Sequence, residues 1–222
     1  MPDQDSSPLK TAMLLFAVFT QGFLSMGFQL VASRLLFPVF GTTLFVWAFI
    51  ISTFLAAFSL GAIIGGFASR MPPHRIRVAT GALGLIGTGA FVFTAAFGRS
   101  IVTGFDSMTE NMALSLGGTC LALFLVPAAA MSCLLPITIE AFIARGVRGG
   151  LSSGLIYAVS TFGNIAGVMT TAFALIPFFP TSRILVFWSF AAAMSFAGFH
   201  VLISRREMAH KIRPYLADDG HW

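Results

Sequence analysis

Six stretches of this chain contain no Asp, Glu, Lys or Arg: residues 11–33, 35–69, 78–98, 111–139, 149–182 and 184–204. A helix rises about 1.5 Å per residue, so about 20 apolar residues cross the roughly 30 Å hydrocarbon layer of a bilayer. Each charge-free run holds at least one such segment. The runs predict six transmembrane helices near 10–34, 44–69, 78–98, 112–135, 154–178 and 183–204. Only 9% of the residues are charged and 57% are hydrophobic, whereas soluble domains carry roughly 25% charged residues. So few charges cannot cover a water-facing surface. A transmembrane barrel would alternate apolar and polar residues, and these runs do not. The expected fold is all-α: one polytopic membrane helix bundle spanning residues 1–222, with no soluble domain.

Lys and Arg orient the bundle. Lys10 precedes the first helix; Arg70, Arg75 and Arg77 lie between helices 2 and 3; Arg145 and Arg148 lie between helices 4 and 5; Arg205, Arg206, Lys211 and Arg213 follow helix 6. Arg34, Arg99 and Arg183 fall on the other side. Ten of the thirteen cations therefore share one side, and the positive-inside rule places both termini in the cytoplasm. Basic loops beside anionic headgroups account for the pI near 10 without a nucleic-acid partner. Residues 205–222 are expected to form a short cytoplasmic tail, helical to Arg213 where Pro214 ends it. The first helix has too long an apolar stretch and no small-x-small cleavage site, so it is expected to be a retained anchor.

Cys120 and Cys133 fall in one predicted helix, roughly 20 Å apart, too far to bridge. They are expected to be small apolar fillers. No metal-ligand cluster, no nucleophile–base pair and no phosphate-binding glycine loop is visible. No enzyme activity, cofactor or metal is therefore expected. In helix 4, Pro127 predicts a kink. Pro136 predicts a break or a new short helix to about Ala144, amphipathic and interfacial, carrying Glu140 and Arg145.

Two kinds of stripe stand out. Small residues recur at Ala57, Gly61, Gly65 and Ser69 in helix 2, at Ser160, Gly163, Asn164, Gly167 and Thr171 in helix 5, and at Gly81, Gly84 and Gly87 in helix 3. Small-xxx-small faces let a neighbouring backbone approach closely in a bilayer, so helices 2, 3 and 5 are expected to pack tightly. Helix 1 instead carries Gln21, Ser25, Gln29 and Ser33, followed by Arg34. Glutamines in a bilayer helix need partners or water. Either they bond across helices or they line a polar cleft. Asn164 is read as interhelical glue reaching a carbonyl or a glutamine of helix 1, with a ligand-holding role as the alternative. No acid or base falls at mid-membrane depth, where proton-coupled transporters usually have one.

Three stretches carry a resemblance. "GFLSMGFQLVASRLLFPVFGTTLFVWAFIISTFLAAFSLGAIIGGFASR" has Gln29, Arg34, Gly41, Gly61 and Gly65; "LVPAAAMSCLLPITIEAF" has Pro127, Met131 and Pro136; "GLIYAVSTFGNIAGVMTTAFALIPFF" has Tyr157, Ala158, Thr161, Gly163 and Pro177. Together they resemble the membrane domain of the spermidine-synthase-like transmembrane proteins, itself similar to half of a major-facilitator-type transporter. The family's Asn position is Ser160 here, and Asn164 lies one turn on. Many relatives continue into an aminopropyltransferase-like domain; this chain stops at Trp222 without a strand–glycine loop–helix pattern, so aminopropyl transfer is not expected of it alone.

Three functions follow as expectations. The leading one is an inner-membrane subunit or anchor that docks a partner protein, such as a separately encoded spermidine-synthase-like enzyme, on its basic cytoplasmic face. The second is a small-solute transporter, a homodimer of six-helix halves with a cleft at Gln21, Gln29 and Asn164. Lacking buried acids, that cleft does not suit a polyamine cation. The third is a structural accessory of a larger membrane complex, its 25 phenylalanines facing lipid, pigment or quinone tails.

Overall fold

The computed structural model describes residues 8–144 and 146–204. They form six helical spans and, among the described residues, no strand: α1 (Pro8–Phe40), α2 (Leu44–Ser69), α3 (Pro73–Met108), α4 (Met112–Ile143), α5 (Gly149–Leu175) and α6 (Thr181–Ser204). Each is long and apolar enough to cross a bilayer. The protein is a multi-pass membrane protein. Arg145 and the tail at 205–222 lie outside the described residues.

Two spans run past the ends expected from charge. The first continues six residues beyond Arg34, taking in Pro38, and stops at Gly41, whose φ of 72° is the left-handed conformation glycine adopts readily. Thr43 then caps α2 by accepting from the Val46 amide. The third swallows most of the expected loop at 99–111, and only Thr109–Asn111 joins it to α4. Asn111 caps α4 through its Oδ1, 3.0 Å from the Ala113 amide. A helix satisfies its own backbone in water as well as in lipid, so Arg99 and Asp106 do not end it.

The proline expectations for α4 resolve into specific distortions. Leu121–Leu125 is a π-turn immediately before Pro127. Pro127 has no N–H for the Leu123 carbonyl one turn back. The buried Thr94 hydroxyl of α3 lies 2.8 Å from that carbonyl and donates to it. At Cys133 the helix loosens by a single turn residue that keeps helical backbone angles (φ −57°, ψ −27°), and it runs on as Leu134–Ile143 with Pro136 in the first turn. This piece was expected to be amphipathic and interfacial. Instead it buries Leu134, Ile137, Thr138, Ala141 and Phe142, packs on α2 and α5, and continues the fourth span. A second π-turn, Thr171–Leu175, precedes Pro177 in α5 and has no counterpart in the expectations.

The small-residue faces pack tightly, each on its own neighbour: α5 on α1, α2 on α4, and α3 on α6. A Cβ on Gly163 or Gly167 would collide with the Phe19 or Phe23 carbonyl of α1, and one on Gly22 with the Ser160 carbonyl. A Cβ on Gly61 or Gly65 would collide with the Ala129 or Cys133 carbonyl of α4. At Gly87 the obstacle is the Phe196 ring of α6, 2.6 Å away. Ala57 is fully buried in α2.

Between these pairs sits an aromatic core. Phe28, Phe54, Phe91 and Phe124, from the first four spans, are each at most 1% exposed, and the Phe28 and Phe91 ring centroids are 4.7 Å apart. These phenylalanines therefore face one another rather than lipid. Trp188 of α6 stacks on Phe23 and donates its Nε1–H to the Leu24 carbonyl at 2.9 Å. Both cysteines are buried and free.

Arg34 has a specific structural task. Its Nη1 donates to the Ile176 carbonyl and, at 3.2 Å, to the Phe179 carbonyl, capping the end of α5 that the π-turn and Pro180 leave open. Losing charged hydrogen bonds to carbonyls costs about 1.5–3 kcal/mol. Arg34→Gln is expected to lower stability by about that amount in detergent melts, whereas Arg99→Gln, whose side chain bonds to nothing in the described protein, should stay within about 0.5 kcal/mol.

Candidate functional site

The two glycine-zipped pairs, α1–α5 and α2–α4, flank a gap. Because each pair is drawn backbone to backbone, residues just beside the zips cannot close on the other pair. The result is a cleft of about 370 Å³. One wall comes from α1 and α5: Gln21, Ser25, Tyr157, Ser160, Thr161 and Asn164. The other comes from α2 and α4, with Ser59, Ser132 and Pro136 among apolar residues such as Phe58 and Met131. Among the described residues no Asp, Glu, Lys, Arg or His lines it.

Half of its six hydroxyls are already committed as donors. Ser59 donates to the Leu55 carbonyl, Thr161 to Tyr157 and Ser132 across to Phe58, each at 2.8–2.9 Å. Gln21 is different. It is 1% exposed, and among the described residues neither its amide nitrogen nor its oxygen has a hydrogen-bond partner. The hydroxyls of Ser115, Thr171 and Ser195 share that condition, but none of them lines the cleft. An unpaired buried polar group costs about 1–3 kcal/mol. Gln21 carries a donor and an acceptor side by side, so a complementary amide, carbonyl or hydroxyl pair would satisfy both.

The proline in α4 adds to this wall. Pro136 cannot donate to the Ser132 carbonyl one turn back, and both residues line the cleft. Interrupted helices are tolerated at membrane depth where they border a cavity.

The expected polar constellation is only partly assembled. Gln21, Ser25, Ser160 and Asn164 share the cleft, while Gln29 does not. Residues four apart on a helix are offset by about 40°, so Gln29 is turned about 80° from Gln21. Among the described residues, the bond expected from Asn164 to a carbonyl or a glutamine of α1 is not formed. Its Oδ1 instead lies beside Gly22, 2.9 Å from where a Cβ would sit. Arg34 lies away from the cleft, at the end of α5. The role of the α4 proline was not legible, since Pro136 alone gives no sign of which cavity it borders. Among the described residues no group of three or more His, Cys, Asp or Glu is placed to hold a metal.

No protein-family model matches the chain, and neither the curated proteins nor the solved structures hold a match to it.

Proposed function

We propose that the protein binds a small, uncharged, polar solute in the cleft between α1–α5 and α2–α4, and moves it across a bacterial inner membrane. The observation that carries this is Gln21, a residue of the cleft wall whose buried amide has no partner among the described residues, in a cavity that none of the described charged residues lines. A cation or anion brought into such a site would have nothing to offset its desolvation. A neutral solute with adjacent donor and acceptor groups would meet Gln21 on equal terms. The resemblance to half of a major-facilitator-type transporter agrees with movement rather than storage. Leu55 and Tyr157, on the rim of the cleft, are more than half exposed, leaving an open side that a second copy would close.

A melting screen of the purified protein tests the binding step. Neutral amides, polyols and nucleobases should include stabilising ligands, while amino acids, polyamines and carboxylates of similar size should not. Stabilisation by charged solutes alone would sink the reading.

Docking of a partner protein is a second reading. Arg70, Arg75, Arg77 and Arg148 are exposed at the end of the bundle where α2 meets α3 and α4 meets α5. Both readings place that end and both termini in the cytoplasm. A reporter fused after Trp222 should be active only in its cytoplasmic form; activity confined to a periplasmic reporter would reverse the topology.

A further inference from the structure

A second cavity, also of about 370 Å³, opens at the end of the bundle where α1 and α3 finish and α6 begins. It is lined by Arg34, Leu35, Pro38 and Val39 of α1, Arg99, Val102 and Thr103 of α3, and Thr181 of α6. Two arginine side chains thus border one space. Like charges repel, and an anion between them would offset that repulsion; Arg34 is half-buried and Arg99 exposed. Among the described residues no carboxylate lines the cavity: Asp106 and Glu110 are the acids further along, and neither belongs to its wall. Only Nη1 of Arg34 is engaged, by the carbonyls at the end of α5, so its Nε and Nη2 retain their donors. Arg99 has no hydrogen-bonded partner in the described protein.

We propose that this cavity binds a phosphate anion, held between Arg34 and Arg99, and that its source is the phosphodiester headgroup of an anionic membrane lipid. Arginine forks suit phosphate oxygens, which accept two donors at once. The aliphatic wall of Leu35, Pro38, Val39 and Val102 would cover the glycerol and first methylenes of a lipid, and offers nothing to a free phosphate ion. The arginines stand at the opposite end of the bundle from Arg70, Arg75, Arg77 and Arg148, so the site would serve the leaflet that the basic loops do not. The inference is independent of the solute cleft.

The test is melting of the full chain in neutral detergent with added phosphatidylglycerol, phosphatidylcholine or inorganic phosphate. Phosphatidylglycerol at tenfold its Kd should raise the melting temperature by about 3 °C or more. Phosphatidylcholine and inorganic phosphate should raise it little. Arg99→Gln should abolish most of the rise while melting normally without lipid, and Arg70→Gln should keep it. A full rise in Arg99→Gln, or an equal rise with phosphatidylcholine, would overturn the proposal. An equal, Arg99-dependent rise with inorganic phosphate would keep the anion site and overturn the lipid source.

Discussion

Gly167→Leu is expected to unfold this protein more readily than any change on its outer surface. A side chain at this position has no free volume to enter, because the Phe23 carbonyl of α1 already occupies the place of a Cβ. The obstacle is backbone, so no rotamer change can relieve it; α1 and α5 must separate. Overpacking of this kind costs about 1–3 kcal/mol, occasionally more, and each kcal/mol lowers the melting temperature by roughly 2–4 °C in a chain of this size. Leucine is the better helix former, so propensity predicts the opposite sign. Gly154 provides the comparison. It lies on the same helix with open space around it, and Gly154→Leu should be neutral or slightly stabilising. Equal melting temperatures for the two variants would mean that the α1–α5 seam does not hold the bundle. The same logic applies to Gly65 against the Cys133 carbonyl in the α2–α4 seam.

Gln21→Leu is expected to behave in the opposite way. Were Gln21 a bond between helices, its loss would cost on the order of 0.6–2 kcal/mol. Here the amide has no partner among the described residues. Replacing it with an apolar group of similar size removes a buried polar group without breaking a bond, a change that is neutral or stabilising, by up to about 1–3 kcal/mol. The variant should therefore melt at or above the wild-type temperature and yet lose the stabilisation that a neutral solute gives. Ser25→Ala and Asn164→Leu should weaken that response less, since neither residue presents a buried, unpartnered donor and acceptor together. A lower melting temperature for Gln21→Leu in the absence of solute would restore the glue interpretation.

These sites differ in how far the sequence disclosed them. The six spans were legible because charges interrupt apolar runs at bilayer-length intervals. Their ends were less so: Arg34 and Arg99 close charge-free runs, but each helix continues past its arginine. The glycine faces were legible as faces of close approach, since Gly61 and Gly65, like Gly163 and Gly167, recur at one-turn spacing. Their partners were not. A small residue records that something comes near, and the main-chain carbonyls of Ala129 or Phe19 that come near have no sequence signature. Gln21 stood out as an amide in an apolar helix, but the stripe that seemed to join it to Gln29 rotates around α1. Only the packing of four helices shows that Gln21 stays in the cleft while Gln29 leaves it. The end-capping role of Arg34 was hidden for a similar reason, because it depends on a π-turn 140 residues further on.

The solute cleft is tested most directly by native mass spectrometry of the protein released from its own membranes in mild detergent. The wild-type chain should carry a small neutral adduct that fits about 370 Å³, and Gln21→Leu, equally folded, should carry none. An adduct that persists unchanged in Gln21→Leu, or a wild-type chain that binds no neutral solute at any concentration tried, would contradict the account.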